Sequence, residues 1–390
     1  MTRAAEPIRR IVIGAQARRE GVLLPQIEPI NLYCLNPPGK GVGAVLLDSG
    51  FYMPKEFQRP NGLFPTNYER IRACAIEELR GGLKAHGYDG LAILVFSHGH
   101  IDHMGLAFEF QKEFGCAFWA SRAEQCLRMG PADQSVDIGA VMRLNGFEDG
   151  RAQEFQALRE KFGAGTSDGA SWAGSEIPVG VERILEDDEV LDFGGERYRV
   201  SIVHGHSKGQ ALLVNETRPG DFAIHGGDQI QRNEPPTFLS AAGERLGLAH
   251  YVDSMARMFA RHPGYREIRR IYPAHARTGH LEHFEREPIE TLGQWWNLCH
   301  ARISGHLGGI SRLLRQGALP PRQIFEEVYA SELAYVRSRG MIPIIGESLH
   351  FMQFVGRLDY LEAAGWEGAR IEKTILETEG GPRARYEVVH

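Results

Sequence analysis

The chain contains the stretch Phe96-Ser97-His98-Gly99-His100-Ile101-Asp102-His103, in which four potential metal ligands fall within six residues. The apolar run 91–95 precedes this stretch and predicts a buried strand. Alternate side chains at a strand end point the same way, so the first two histidines are predicted to converge on one ion. The aspartate and the last histidine turn with the loop and can reach a second ion about 3.5–4 Å from the first. This spacing is more restrictive than a lone His-x-His pair, which argues against chance histidines on a polar loop.

Length and composition are typical of a soluble globular protein. The chain has 390 residues, of which 43% are hydrophobic and 24% charged, and this length favours a large core and more than one domain. No apolar run approaches the roughly 20 residues that cross a bilayer, and the N-terminal residues lack the apolar segment of a secretory signal. The five scattered cysteines favour reduced thiols. We therefore expect a cytoplasmic protein without a membrane partner.

Four further elements place one acidic or histidine residue after a predicted strand. They are Asp48 in Leu46-Leu47-Asp48-Ser49-Gly50, His206 in Val203-His204-Gly205-His206-Ser207, Asp228 in His225-Gly226-Gly227-Asp228, and His275 in Tyr272-Pro273-Ala274-His275. Together with the stretch 96–103, and in the same order, they resemble the signature of the metallo-β-lactamase superfamily of hydrolases.

The resemblance implies an α/β protein, with an αββα sandwich of the metallo-β-lactamase type in residues 1–294. The residues themselves point the same way, because strand, loop, helix and strand alternate around the stretch 96–103. Helices are predicted over 67–86 and 250–262. The glycines in 37–43 suggest a nucleotide loop at first sight, but no helix follows them, so a hairpin turn is predicted there.

The resemblance also implies a dinuclear metal centre. The first ion would be held by His98, His100 and His206, the second by Asp102, His103 and His275, and Asp228 would bridge the two. The expected cofactor is two divalent ions, zinc first, with iron or manganese as alternatives. Such ions bring the pKa of bound water from 15.7 towards about 7, so that hydroxide can attack a carbonyl or phosphoryl centre. Asp102 or Asp228 is the candidate catalytic residue that orients the attacking water.

Other uses of the same residues remain open at this stage. A mononuclear iron site would need only His98, His206 and Asp228, and an oxygenase branch of the superfamily resembles this arrangement. The histidine-rich set argues against the di-iron flavoprotein branch, in which a glutamate replaces one histidine. The neighbouring His204 is expected to support the ligands or to pack, and His225 is expected to support them or to be a strand residue.

Substrate-binding residues are predicted less directly. A long insertion at 121–180, between two ligand-bearing strands, is a candidate lid, and its Trp172 offers an apolar surface to a substrate. The alternative is a surface decoration remote from the site. Arg232 and Arg277 follow two of the ligands and could clamp a carboxylate or phosphate, although surface ion pairs are the commoner role of arginine.

Residues 295–390 change to helical segments without metal-ligand spacing. They resemble the small winged-helix-like domain that is appended to one branch of the superfamily. Apolar residues repeat on successive helices at a helical period, and we expect them to be covered in a homodimer or higher homo-oligomer, since two-fold assembly is the commonest way to bury such faces.

Hydrolysis of a small-molecule thioester or other carboxylic ester is the function predicted first. The alternatives are lactone opening, phosphodiester or RNA cleavage, and a non-catalytic ligand sensor. A nucleic-acid partner is disfavoured because residues 297–390 carry eleven Lys and Arg against eleven Asp and Glu, and the whole chain has a net charge of −6. A sensor would be expected to lose a ligand, and all seven are present.

Overall fold

The fold is taken from a computed structural model of the chain. It describes residues 9–23, 28–52, 67–128, 142–147, 176–232, 247–284, 287–317, 319–338, 343–366, 368, 370–376, 378 and 382–389. Most of the insertion predicted as a lid, including Trp172, lies outside the described residues, so its role remains a prediction.

The first sheet contains six strands. In chain order they are β1 Arg10–Ile13, β2 Ile30–Cys34, β3 Gly43–Leu47, β4 Gly90–Val95, β5 Ala117–Ser121 and β8 Arg183–Leu185. They lie side by side in this same order. The first three are antiparallel neighbours, and β3, β4, β5 and β8 pair in parallel. The antiparallel pairing of β2 with β3 confirms the predicted hairpin in place of a nucleotide loop.

The second sheet contains five strands. They are β9 Val190–Phe193, β10 Glu196–Val203, β11 Gln210–Asn215, β12 Ala223–Gly227 and β13 Arg270–Pro273, and they also lie in sequence order. All neighbours are antiparallel except β12 and β13. Three short ribbons complete the strands: β6 Cys126–Arg128 with β7 Glu176–Pro178, β14 His283–Phe284 with β15 Glu287–Pro288, and β16 Arg370–Leu376 with β17 Arg383–Val389.

The helices follow the predicted apolar spacing. They are α1 Ala15–Arg19, α2 Tyr68–Ala85, α3 Ile101–Met104, α4 Ala107–Phe114, α5 Gly247–Arg261, α6 Leu292–Arg315, α7 Pro321–Val328, α8 Ala330–Ser338 and α9 Pro343–Ala363. The helix α2 begins where the Asn67 side chain accepts the Arg70 N–H, an N-cap contact. It buries Ile71, Ala75 and Leu79 on one face. The helices predicted over 67–86 and 250–262 are therefore confirmed within one to three residues.

The two sheets pack face to face around one apolar core. Leu35, Val45 and Val95 from the side of the first sheet meet Val200 and Leu213 from the second, and all are buried. Strand β11 is buried along nearly its whole length, as expected for a central strand that is covered on both faces. This packing gives the mixed α/β architecture with two stacked sheets that the sequence predicted.

The chain divides into two compact units. One consists of residues 1–130, 175–233 and 254–295, and holds both sheets; the other consists of 131–174, 234–253 and 296–390. The helix α6 runs through position 294, where the sequence suggested a domain boundary. The second unit contains the elements α7, α8 and α9 followed by the hairpin of β16 and β17. Whether this arrangement is a winged-helix-like domain remains a prediction.

The apolar helix faces that suggested a homo-oligomer are buried within the chain. Leu313, Ile324, Val355, Leu358 and Leu361 are each less than 5% exposed. The argument from uncovered faces therefore loses its basis, and assembly remains an untested prediction.

Among the residues that the structure describes, no helix combines the length and the apolar character needed to cross a membrane.

Truncation of the inter-sheet core should destabilise the fold. Leu213 is fully buried on β11, so Leu213→Ala should lower the free energy of unfolding by about 2–5 kcal/mol. The control is Val190→Ala on the edge strand β9, where the side chain is 37% exposed and the expected change is within about 0.5 kcal/mol. Urea unfolding followed by circular dichroism measures both, and equal shifts in the two variants would contradict the assignment of the core.

Candidate metal centre

Five of the seven candidate metal ligands lie in loops that follow a strand. Strand β4 leads to the loop with His98 and His100, β10 leads to His206, β12 to Asp228 and β13 to His275. The short helix α3 then carries Asp102 and His103. The loops bring these side chains into two groups, in each of which the ligand atoms lie within 4.8 Å of one another: His98, His100 and His206, and Asp102, His103, Asp228 and His275.

The first group consists of three buried imidazoles. His98 Nε2 lies 2.9 Å from His100 Nδ1, and His206 Nε2 lies 3.1 Å from each of them. Each of these nitrogens is either a donor that carries a proton or an acceptor with a lone pair. At least two of the three nitrogens therefore have the same role, and the contact between those two cannot be a hydrogen bond. A shared cation removes this conflict. Nitrogens 2.0–2.1 Å from one tetrahedral zinc lie about 3.3 Å apart, slightly farther than here.

The second group is built around Asp228. Its Oδ2 atom lies 3.3 Å from His103 Nε2 and 3.5 Å from His206 Nε2, and its Oδ1 atom lies 3.7 Å from His275 Nε2. Asp102 Oδ2 lies 3.4 Å from the same His275 nitrogen and 3.9 Å from His103 Nε2. Asp228 is therefore in reach of both groups, which is the position required of a bridging carboxylate.

Several buried polar atoms at the centre lack a hydrogen-bond partner among the described residues. They are His103 Nε2, Asp228 Oδ1 and both ring nitrogens of His275. Buried polar atoms are normally satisfied, and imidazole with carboxylate is a donor set that suits zinc and other divalent transition metals. The residues present therefore fit two divalent ions.

Asp48 orients one of these ligands from behind. Its Oδ2 atom lies 2.9 Å from His103 Nδ1, and its Oδ1 atom accepts the Ser97 N–H at 2.8 Å. This contact leaves His103 Nε2 directed at the second group. Asp48 has a φ of 65°, a conformation that is uncommon outside glycine, although Asp tolerates it better than most. A carboxylate that holds the far nitrogen of a ligating histidine is a common feature of metal sites.

The sequence model of the Metallo-beta-lactamase superfamily matches residues 41–275, more than half of the chain. The chain belongs to the metallo-beta-lactamase superfamily. A comparison with curated proteins gives no match.

Solved structures agree with this superfamily assignment at the level of the fold. A beta-lactamase domain protein from Burkholderia ambifaria aligns with a TM-score of 0.61 at 16% identity, over 99% of this chain and 92% of that one. A metallo-beta-lactamase family protein from Thermus thermophilus aligns with a TM-score of 0.56 at 17% identity, over 94% of this chain and 97% of that one. The superfamily fold implies divalent metal binding, and the two ligand groups are where it would occur.

The two halves of the superfamily site differ electrostatically. Burial and the surrounding histidines lower the pKa of His98 and of His100, which therefore stay neutral. Burial also acts to lower the pKa of His275, but Asp228 and Asp102 outweigh it and raise that pKa to about 9. In the same way Asp228, Asp102 and Asp48 raise the pKa of His103 well above its ordinary value. Without metal, protons on the second group balance its carboxylates.

Side chains outside the predicted set hold the ligand loops in place. The Asn31 amide donates to the carbonyls of Ala274 and Ala276 at 2.9 and 2.8 Å, on either side of His275. The Tyr33 hydroxyl donates to Pro273 O at 2.7 Å. Both residues lie on β2, far from the ligand motifs in sequence. Nothing in the sequence signals their roles, because each is an ordinary residue of a strand.

Two glutamines perform the same task for Asp228 and His206. Gln210 Nε2 donates to Gly226 O at 3.0 Å, and Gln229 Nε2 donates to His204 O at 3.0 Å. Gly227 must be glycine, because an added Cβ would lie 2.2 Å from Gln210 Nε2 and its φ is 47°. The sequence could have suggested Gln210 and Gln229 only through their proximity to ligands. The sequence does not predict a role for Glu124 either.

His225, Arg232 and Arg277 do not belong to the two ligand groups. His225 packs among Tyr33, Tyr198 and Tyr272, with ring centroids 4.9–5.9 Å apart, and burial lowers its pKa to about 3. His225 is therefore a buried strand residue, one of the two roles expected for it. Arg232 and Arg277 are both exposed, and their proposed role in binding substrate remains a prediction.

Metal binding to the second group should depend on pH. The raised pKa values mean that His103 and His275 are protonated in the metal-free protein at pH 7.5 and must lose protons to bind an ion. Affinity should therefore rise with pH through about 9, the pKa of His275, and the second equivalent should release protons at pH 7.5. His98 and His100 of the first group, whose pKa values are lowered, should release none.

Zinc titration of the metal-free protein in a weakly buffered indicator solution measures the protons released per equivalent. His275→Ala is the matched variant and should release fewer protons with the second equivalent. Equal proton release for both equivalents, or an affinity that is independent of pH between 7 and 9, would contradict the assignment.

Proposed function

We propose that this superfamily member is a metal-dependent hydrolase that cleaves a thioester or another carboxylic ester. One observation carries the proposal: two groups of metal ligands share Asp228, whose Oδ2 atom lies 3.3 and 3.5 Å from a histidine of each group. Members of the superfamily are generally hydrolases. When bound, divalent ions supply Lewis acidity, which makes water a stronger acid and polarises a carbonyl oxygen.

The side chains of the centre have distinct tasks in this proposal. Asp102 is 35% exposed, more than His275 at 14% or Asp228 at 8%, whereas the first group is almost sealed. Substrate is therefore expected to approach from the side of Asp102. A carboxylate at this opening can accept a hydrogen bond from the attacking water and orient it. The buried Asp228 is better suited to bind cations than to exchange protons with solvent.

Carboxylic ester chemistry is preferred to phosphodiester cleavage on electrostatic grounds. A polyanionic nucleic acid needs a surface with excess positive charge, and the segment 297–390 carries equal numbers of basic and acidic residues. A small ester or thioester has no such requirement. Zinc is the proposed metal because imidazole and carboxylate suit it, and iron and manganese are the other outcomes of metal analysis.

A panel of four bond types tests the reaction. The protein with its metal content measured on the same sample should hydrolyse ester or thioester substrates faster than lactones and phosphodiesters. A chelator should abolish the activity, and zinc should restore it. Turnover of phosphodiesters alone would replace the ester proposal. No turnover of any class with a fully loaded centre would favour a ligand sensor.

Asp228→Asn should be the most damaging conservative change at the centre. It keeps the size of the side chain and removes the negative charge shared between two cations, so kcat/KM should fall by about 10²-fold or more, as expected when several kcal/mol of charge stabilisation are lost. Bound metal per protein should fall towards one equivalent. The control is Asp192→Asn on the exposed face of β9, where Asp192 accepts only the Gly195 N–H among the contacts described. Near-normal activity of Asp228→Asn would remove Asp228 from the site.

A further inference from the structure

A buried carboxylate lies next to the first metal group without being one of its ligands. Glu124 is fully buried at the end of the short 3-10 turn Arg122–Glu124, which follows β5. A buried ionised carboxylate is costly unless hydrogen bonds satisfy it. Both of its oxygens accept backbone N–H groups here, Oε2 from Gly99 at 2.9 Å and Oε1 from Gly209 at 2.9 Å.

The two donors belong to the two loops that form the first group. Gly99 lies between His98 and His100, and Gly209 lies three residues after His206. One carboxylate therefore joins the loop that supplies two ligands to the loop that supplies the third. Charge-assisted hydrogen bonds of this kind are stronger than neutral ones, so the link resists separation of the loops.

The same turn holds Gly209 in two further ways. The Ser121 hydroxyl donates to Gly209 O at 2.5 Å. A Cβ on Gly209 would lie 2.7 Å from Ala123 Cβ, so the loop packs directly on the turn. One other bond joins the loops without Glu124, from Ala211 N–H to Ser97 O at 2.8 Å. The fold is thus not held by Glu124 alone, and its loss should affect the ligand geometry more than folding.

We propose that Glu124 is a positioning residue that sets the affinity of the first metal group by fixing the His206 loop against the His98–His100 loop. The inference rests on the metal centre of the proposed function, but not on the reaction. It assigns a task to a residue that belongs to neither ligand group. Partners that orient metal ligands typically change affinity by about 10–100-fold when they are removed.

Glu124→Gln tests the proposal most directly. The amide keeps the length of the side chain, but its nitrogen is a donor and faces a backbone N–H, so one of the two links must break. Metal-free full-length protein is titrated with zinc against a competing chelator to obtain both binding constants. We expect one constant to weaken by about 10–100-fold and the other to stay unchanged. The visible absorption of the cobalt-loaded protein should change for the same equivalent.

Two further variants complete the set. Glu186→Gln is the matched control, because Glu186 pairs with Arg122 of the same turn at 3.1 Å but is 62% exposed and contacts neither loop in the described structure; it should leave both constants unchanged. Ser121→Ala removes only the bond to Gly209 O and should weaken the same constant by a smaller factor. It serves as the test if Glu124→Gln fails to fold.

Three outcomes would overturn the proposal. The first is that both zinc-binding constants of Glu124→Gln equal those of the wild type. The second is that both constants weaken equally and the melting temperature of the metal-free variant falls with them. The third applies if Glu124→Gln does not fold, and it is that Ser121→Ala keeps both wild-type constants. Hydrolysis is not needed for any of these readouts. Wild-type protein that binds two ions but cleaves none of the four substrate classes would end the hydrolase proposal and leave the result for Glu124 standing.

Discussion

The metal centre depends on a balance of charge in a buried space. Two carboxylates and five imidazoles converge there, and burial opposes every uncompensated charge. Asp228 and Asp102 raise the pKa of His275 to about 9 and hold that of His103 high, whereas His98 and His100 stay neutral. Cations and protons therefore compete for the same positions. The two buried carboxylates require positive charge beside them. Divalent ions would supply that charge and, unlike protons, would leave the imidazole nitrogens free to act as ligands.

The two sheets and their loops keep these groups together. Ligands arrive from loops that follow strands of two different sheets, and the strands of each sheet are hydrogen-bonded to their neighbours and contribute to a buried core. The loops themselves are joined by side chains that bind backbone groups, such as Asn31 around His275, Gln210 behind Asp228 and Glu124 beside the first group. Ligands on loops gain precision when supporting residues restrict them in this way. The positions of the metal ligands thus depend on residues that are not ligands themselves.

The structure also changes how two sequence patterns are interpreted. The apolar repeats after residue 295 suggested faces that need a partner, yet Ile324 and Leu358 are fully buried in the single chain. Periodicity shows that a helix face is apolar and does not show what covers it. His225 stands three residues before a ligand, and the alternation of β12 directs it into the core between the sheets, among tyrosines. Proximity in sequence to a metal ligand did not place it in the site.

The sequence by itself determined the family, the α/β class and the seven residues that the structure brings together. It could do so because metal chemistry demands particular residue types at particular spacings, as in the stretch from His98 to His103. Only the tertiary structure decided which atoms face each other, that Asp228 is within 3.5 Å of a histidine in each group, and that Glu124 joins two loops. These contacts link residues that are distant in the sequence; His98 and His206, for example, are 108 positions apart. A backbone N–H is the same in almost every residue, so the carboxylate that binds it leaves no pattern in the sequence.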